Sequence, residues 1–233
     1  MTAISYFNSK KNHKLAVLFT VQLFLNNIVT MLNTFFGIAG AATVGKDTYY
    51  KLLKEICLED FGRKVIRFAL ADILKQSLQG FLLDKYRIDI LNCSAEEKNK
   101  VRFELVDYAR IMRQGTNGRY WISKLSSEIE EYKKSENFNP SDIFCVTDIR
   151  HFEYPNDEVV WLKAENKGVL IYVEKFFQDG SICDPANDDE RRNDPLLRKS
   201  SDYTVTWMHG SQEQNLKKIV KKSIDFCIKE GKF

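Results

Sequence analysis

A glycine loop set between an apolar run and a helical stretch constrains this chain more than anything else in it. Thr34 to Ala39 (TFFGIA) is a short apolar run bounded by glycine and reads as a buried strand. It passes straight into Gly40-Ala41-Ala42-Thr43-Val44-Gly45-Lys46-Asp47-Thr48, a GxxxxGK pattern followed by Asp-Thr. Beyond it, Tyr49, Leu52, Leu53, Ile56 and Phe61 recur at helical spacing, so Asp47 to Phe61 is predicted as a helix. Strand, glycine loop and helix in that order are the context a Walker A loop requires. Gly40 and Gly45 let backbone N–H groups curl round phosphate oxygens. The helix N-terminus adds partial positive charge, and Lys46 reaches the outer phosphates. Gly40, Ala41, Thr43, Gly45, Lys46, Asp47 and Thr48 are therefore the expected ATP-holding residues. The competing reading is a chance glycine turn with an exposed lysine.

Asp47 stands where Ser or Thr usually meets Mg²⁺, and Thr48 follows one later. Asp47 could hold Mg²⁺ through water or orient an acceptor phosphate. The plainer alternative is a first-turn carboxylate that complements the helix dipole. Asp148 ends the apolar strand Asp142 to Asp148 and is the second candidate Mg²⁺ residue. Its alternative is a strand-end acid capping the next turn. Arg150 follows on the same face of the strand's continuation.

The remaining chain alternates between the two periodicities. Val65 to Ala69, Val169 to Val173 and Asp202 to Trp207 read as further strands. Ala71 to Leu83, Ala95 to Arg113, Trp121 to Lys134 and Gln212 to Lys229 read as helices, with Ser94 and Glu97 forming a capping box. Strands alternating with helices predict an α/β protein, a three-layer α/β/α fold with a mostly parallel central sheet. Such sheets bind ligands at the carboxyl ends of their strands. The stretch 177–201 is too polar for a core; it is either a solvated loop or a short lid delivering arginines to a transferring phosphoryl group.

Residues 1–30 are a separate problem. No charge falls between Lys14 and Lys46, and Leu15 to Leu32 holds 13 apolar and 5 polar residues. Three readings stay open: an apolar helix attached to the domain, a mis-assigned start with Met31 as the first residue, and a membrane anchor. Asn26 and Asn27 weigh against the anchor, because amides in hydrocarbon need partners. The domain proper is taken as 31–233. A net charge of +3 argues against direct nucleic-acid binding. Five cysteines without a CxxC pair point to a reducing compartment, hence the cytoplasm, or the host cytoplasm for a viral protein. His13, His151 and His209 are too scattered for a metal triad.

Four segments together resemble the deoxynucleoside monophosphate kinases of the bacteriophage type, within the P-loop kinases. They are the loop Gly40 to Thr48, the stretch Arg67-Phe68-Ala69-Leu70-Ala71-Asp72-Ile73-Leu74-Lys75, the run Gln114-Gly115-Thr116-Asn117-Gly118-Arg119 with Trp121, and Asp148-Ile149-Arg150 followed by Pro155-Asn156-Asp157-Glu158. The resemblance spans Thr34 to the C-terminus. It implies a P-loop kinase fold, a reaction in which ATP phosphorylates a deoxynucleoside monophosphate with Mg²⁺ as cofactor, and a possible homodimer. It places Asp72, Lys75, Gln114, Arg119, Trp121 and Arg150 around the acceptor nucleotide, with Trp121 offering a stacking face. Lys46, Asp47 and Arg150, with Arg191, Arg192 or Arg198 from the lid, would serve the transfer itself. Two departures stand out: the gap from Arg119 to Trp121 is shorter than in the family, and His151, Glu153 and Tyr154 look inserted. A core position is the competing reading of Trp121. Two other functions fit the loop: a different small-molecule P-loop kinase, phosphomevalonate- or dephospho-coenzyme A-kinase-like, and a non-catalytic nucleotide-binding protein tethered to a membrane by residues 15–32.

Overall fold

The computed structural model describes residues 34–185 and 187–233. Five strands, Thr34–Ala39 (β1), Val65–Phe68 (β2), Ile143–Ile149 (β3), Val169–Phe176 (β4) and Tyr203–Met208 (β5), form one sheet. Their order is β2-β3-β1-β4-β5 and every neighbouring pair is parallel. The helices are Lys46–Phe61 (α1), Leu70–Tyr86 (α2), Ala95–Lys100 (α3), Arg102–Gln114 (α4), Arg119–Lys133 (α5), Glu158–Val160 (α6, running on into a π-helical turn, Trp161–Glu165), Asp188–Ser200 (α7) and Glu213–Lys229 (α8).

The near-continuous apolar strands follow from burial on both sheet faces. Side chains alternate along each strand. Phe36, Ile38, Ile143, Cys145, Val169, Ile171 and Val173 point into one core with α1 and α8. Phe35, Phe144, Val146, Leu170 and Tyr172 point into the other with α2, α5, the π-turn and Leu197 of α7. Inside the first core the Tyr49 and Ser223 hydroxyls share a hydrogen bond of 2.8 Å, tying α1 to α8. The result is the three-layer α/β/α fold read from the sequence. The chain leaves β1 toward one side of the sheet and later crosses from β3 to β4 on the other. That reversal opens a crevice at the carboxyl end of β1, the usual ligand position in such sheets.

Two expectations need correction. Ala95 to Arg113 is not one helix. The capping box at Ser94 and Glu97 is present, but the chain kinks at Val101, which is buried with Leu78, Leu82, Ile90 and Leu105 in a third, smaller cluster. Burying that side chain rotates the helix axis. The stretch 177–201 is not simply a loop either. Its second half is α7, with the Asn187 side chain accepting the Glu190 N–H, acids in the first turn and Arg198 and Lys199 in the last. The readings of residues 1–30 lie outside the described residues. Among the described residues no helix is long and apolar enough to cross a membrane.

Candidate functional site

The site is built at the end of β1. Gly40 has φ 131, and a Cβ there would lie 2.3 Å from the Val173 carbonyl oxygen, so only glycine lets β1 turn beside β4. Gly45 is left-handed (φ 99) and caps α1, and its α-carbon abuts the Trp207 ring. Lys46 opens α1 and folds back over the loop, its Nζ donating to the Gly40 and Ala41 carbonyls at 2.7 Å each. Asp47 and Thr48 sit exposed on the same first turn.

Burial lowers the Lys46 pKa to about 8, and the Arg150 charge adds to the effect; Glu190, Asp148 and Asp47 pull the other way. These groups place Arg150, Asp148 and Glu190 around the lysine. An anion bound here favours the ammonium form, so binding above pH 8 takes up a proton. Affinity for ATP is therefore expected to fall as pH rises through about 8, with proton uptake measurable by calorimetry in buffers of different ionisation enthalpy. A flat profile from pH 7 to about 9.5 would contradict the assigned lysine, since an unperturbed lysine titrates near 10.4.

Asp148 is a helix cap before anything else. Its carboxylate accepts the Leu70 and Ala71 N–H groups at 2.9 and 2.7 Å, fixing the start of α2. Burial raises its pKa against those two hydrogen bonds. Asp72 lies between Arg67 (2.6 Å) and Lys75 (3.3 Å). Arg67 in turn feels Asp148 and Asp47, so this triplet borders the loop. Partial burial lowers the Lys98 pKa, and the neighbouring charges of Lys75, Arg102 and Arg150 add to it. Lys75, Arg102 and Arg150, from α2, α4 and the end of β3, thus lie within electrostatic reach of Lys98 on α3. Among the described residues no group of three or more His, Cys, Asp or Glu is placed to hold a metal ion. A phosphate-bound Mg²⁺ takes only one or two protein carboxylates, and Asp47 with Thr48 fits that smaller demand.

Arg150 carries the most context. Its side chain pairs with Glu190 of α7 at 2.8 Å. Its backbone N–H, with that of His151 at 3.0 Å, is taken by the buried Glu158 carboxylate. Burial raises the Glu158 pKa to about 8. An anion approaching the Arg150 Nη1 meets Glu190 already there. Glu190 and Arg113 were not among the expected site residues, and Glu158 stood there only as the end of a resembling segment; Arg113 is buried, paired with Glu153 and 3.8 Å from Asp157.

Several expected site residues stand elsewhere. Trp121 is a core side chain: its Nε1 donates to the Ala109 carbonyl at 3.0 Å, and it packs edge-on against Tyr108 and Tyr120. It falls on the stripe of α5 shared with Ile122, Leu125 and Ile129, which turns the indole inward. Trp121→Ala is expected to cost about 3–5 kcal/mol of stability, read by urea unfolding, while Trp121→Phe leaves the acceptor KM unchanged. A selective KM rise in the phenylalanine variant would restore a stacking role. Arg119 is tied at 2.5 Å to Glu165 at the end of the π-turn, and Gln114 is exposed on the last turn of α4. Neither joins the groups around Lys46. Arg191 pairs with Asp188 at 2.6 Å, and Arg192 with Asp189 and Glu153. Arg198 pairs with Glu174 over the Tyr172 ring. The α7 side chain that reaches the lysine's surroundings is Glu190, not an arginine.

Contacts on the far side of the loop were not legible either. Lys175 Nζ donates to the Thr43 carbonyl at 2.5 Å, Trp207 Nε1 to the Val44 carbonyl at 2.7 Å, and Cys183 Sγ lies 3.4 Å from the Ala42 carbonyl.

No family model matches the chain, and no curated protein matches it. Solved structures do. Shikimate kinase from Acinetobacter baumannii in complex with shikimate is 13% identical, covering 85% of this chain and 94% of that one, with a TM-score of 0.40. Chaetomium thermophilum Kti12 in complex with ADP-AlF3 is 14% identical, covering 82% and 97%, with a TM-score of 0.36. Likeness at this level concerns the fold and says nothing of what this chain acts on.

Proposed function

We propose that this chain transfers the γ-phosphoryl group of ATP to deoxynucleoside monophosphates, giving ADP and the deoxynucleoside diphosphate. One observation carries the reading: a lysine-tipped glycine loop at the end of β1 has Arg150 within electrostatic reach, and Arg150 in turn shares the surroundings of Lys98 with Lys75 and Arg102. Such a gathering of cations suits an acceptor that arrives with its own negative charge. A phosphate oxygen is already anionic, so the attack on the γ-phosphorus asks for positioning and charge neutralisation rather than a general base. The only imidazole among these groups, His151, is held neutral: burial lowers its pKa well below the usual range, and the charges of Arg113, Arg150 and Arg192 add to this. The four sequence segments supply the deoxynucleotide part of the proposal, and Lys75 and Arg150 from them both belong to this gathering.

In this reading the loop holds the β- and γ-phosphates, and Lys46 leaves its two carbonyls to meet them. Arg150 exchanges Glu190 for a phosphate. Lys75 and Arg67, both held by Asp72, face the acceptor. Asp47 and Thr48 would hold Mg²⁺, with Asp148 reaching it through water by lone pairs its two N–H partners leave over. When bound, the ion neutralises charge on the phosphate oxygens. Helix α7 is the segment proposed to close over the site.

The test is ADP formation from ATP and Mg²⁺ across a panel of acceptors: dAMP, dGMP, dCMP, dTMP, the four ribonucleoside monophosphates, a phosphomevalonate and dephospho-coenzyme A. Turnover with at least one deoxynucleotide, faster than with its ribonucleotide, is expected. Turnover only with another acceptor, or none from a chain that binds ATP, refutes the proposal.

A further inference from the structure

Every carbonyl oxygen from Gly40 to Gly45 has a donor. Lys46 takes those of Gly40 and Ala41, and the helical N–H of Tyr49 takes that of Gly45 at 2.9 Å. The three between them are met from outside the loop: Ala42 by the Cys183 thiol, Thr43 by the Lys175 ammonium, Val44 by the Trp207 indole. We propose that Lys175, Trp207 and Cys183 are positioning residues that turn these three carbonyls away from the ligand and so pre-form the anion nest. The proposal rests on the loop being a polyphosphate site.

The argument is peptide geometry. In a planar trans peptide the C=O of one residue and the N–H of the next point in opposite directions. Holding the Ala42, Thr43 and Val44 carbonyls outward therefore turns the Thr43, Val44 and Gly45 N–H groups inward. Successive N–H groups converging on one point make an anion-binding concavity. Thr43 shows that the arrangement must be held. It is left-handed at φ 64, a strained state for a β-branched residue. A loop left to itself would relax that residue and rotate the two peptides flanking it.

The brace comes from the sheet, not from the loop. Lys175 and Trp207 are direct register partners on the parallel pair β4 and β5, so their side chains stand side by side on one face. Cys183 is carried back to the same place by a short return, its N–H bonding the Lys175 carbonyl at 3.1 Å and Ile182 pairing with Phe176. The Trp207 ring also lies against Gly45, where a Cβ would come within 2.7 Å of it. A donor held by a strand pair costs nothing to organise when the ligand arrives. Its contribution should therefore appear in affinity and not in the chemical step.

Four variants test this on the full chain. Trp207→Phe keeps a ring against Gly45 and removes the N–H. Lys175→Met removes the ammonium and keeps the stem, and Lys175→Arg keeps a donor. Trp207→Phe with Thr43→Gly removes the N–H and the strain together. Calorimetric binding of ATP and of inorganic pyrophosphate is read beside urea unfolding and, in the transfer assay, KM and kcat. Trp207→Phe and Lys175→Met are each expected to weaken binding by about tenfold and to raise KM for ATP with kcat little changed. Lys175→Arg stays close to wild type, and Thr43→Gly recovers much of the affinity lost in Trp207→Phe. High salt leaves the Trp207→Phe loss in place, since no charge was removed. Lower stability with unchanged affinity in both single variants would overturn the proposal, as would a fall in kcat at unchanged KM. A double variant that recovers nothing would overturn the role given to Thr43. A folded wild type that binds neither ATP nor pyrophosphate would instead remove the polyphosphate reading, and the brace with it.

Discussion

Lys46→Met leaves a folded protein that transfers phosphate at least about 10³-fold more slowly than wild type. The lysine opens α1 directly behind the loop that would hold the outer phosphates, and Arg150 is a neighbouring cation whose charge it feels. Phosphoryl transfer offers the protein little covalent work, so removing this charge removes most of what the loop contributes beyond holding ATP. The fold should not suffer in proportion. The substitution gives up two hydrogen bonds, to Gly40 and Ala41, whose carbonyls can turn to water. It also abolishes the burial penalty that lowers the lysine's pKa. These opposing terms leave a net change within about 1 kcal/mol. Quenched-flow transfer beside urea unfolding checks both halves. A variant within tenfold of wild type, or one that has simply unfolded, contradicts the assignment.

Gly40→Ala damages fold and binding together. A Cβ at 2.3 Å from the Val173 carbonyl meets backbone, not the end of a movable side chain, and φ 131 is a conformation alanine avoids. Either β1 moves off β4 or the loop changes shape. The expected cost is about 2–4 kcal/mol of stability, with ATP binding lost over the concentrations at which wild type saturates. Gly180 supplies the comparison: its φ is +81, but nothing lies within 4 Å of its would-be Cβ. Gly180→Ala should cost only the strain of its backbone, about 1–2 kcal/mol, and leave ATP binding intact. Equal effects at the two glycines would mean that the contact with Val173 is not what requires Gly40.

What the sequence disclosed was local. The run Thr34 to Ala39, the two glycines and Lys46 are contiguous, and each residue type is dictated by a neighbour a few positions away. The three inner strands were legible because burial on both sheet faces leaves little room for polar side chains. What stayed hidden was fixed by distant parts of the chain. Val101 leaves the helical path where it packs with Leu82 of α2 and Ile90 of the connection that follows α2. Helix α7 carried its start and end signals, Asn187 with three acids and then Arg198 with Lys199, but its polarity read as a solvated loop or lid, and Pro195 lies in its interior. Trp121 was offered as a ligand face by its motif, while its place on the apolar stripe of α5 pointed to the core. The donors behind the phosphate loop come from β4, β5 and the return between them, more than 130 residues downstream, and only strand register brings them there. Glu190 was read as part of a polar run; its meeting with Arg150 depends on how α7 docks against the end of β3.

A single turnover with γ-labelled ATP, Mg²⁺ and each deoxynucleoside monophosphate, quenched and resolved by product, tests the whole account at once. The geometry predicts label in the β-position of a deoxynucleoside diphosphate, and none there when Lys46→Met replaces wild type. Label appearing only as inorganic phosphate, or remaining in ATP while the folded chain holds it, would contradict the assignment of this crevice to phosphoryl transfer between nucleotides.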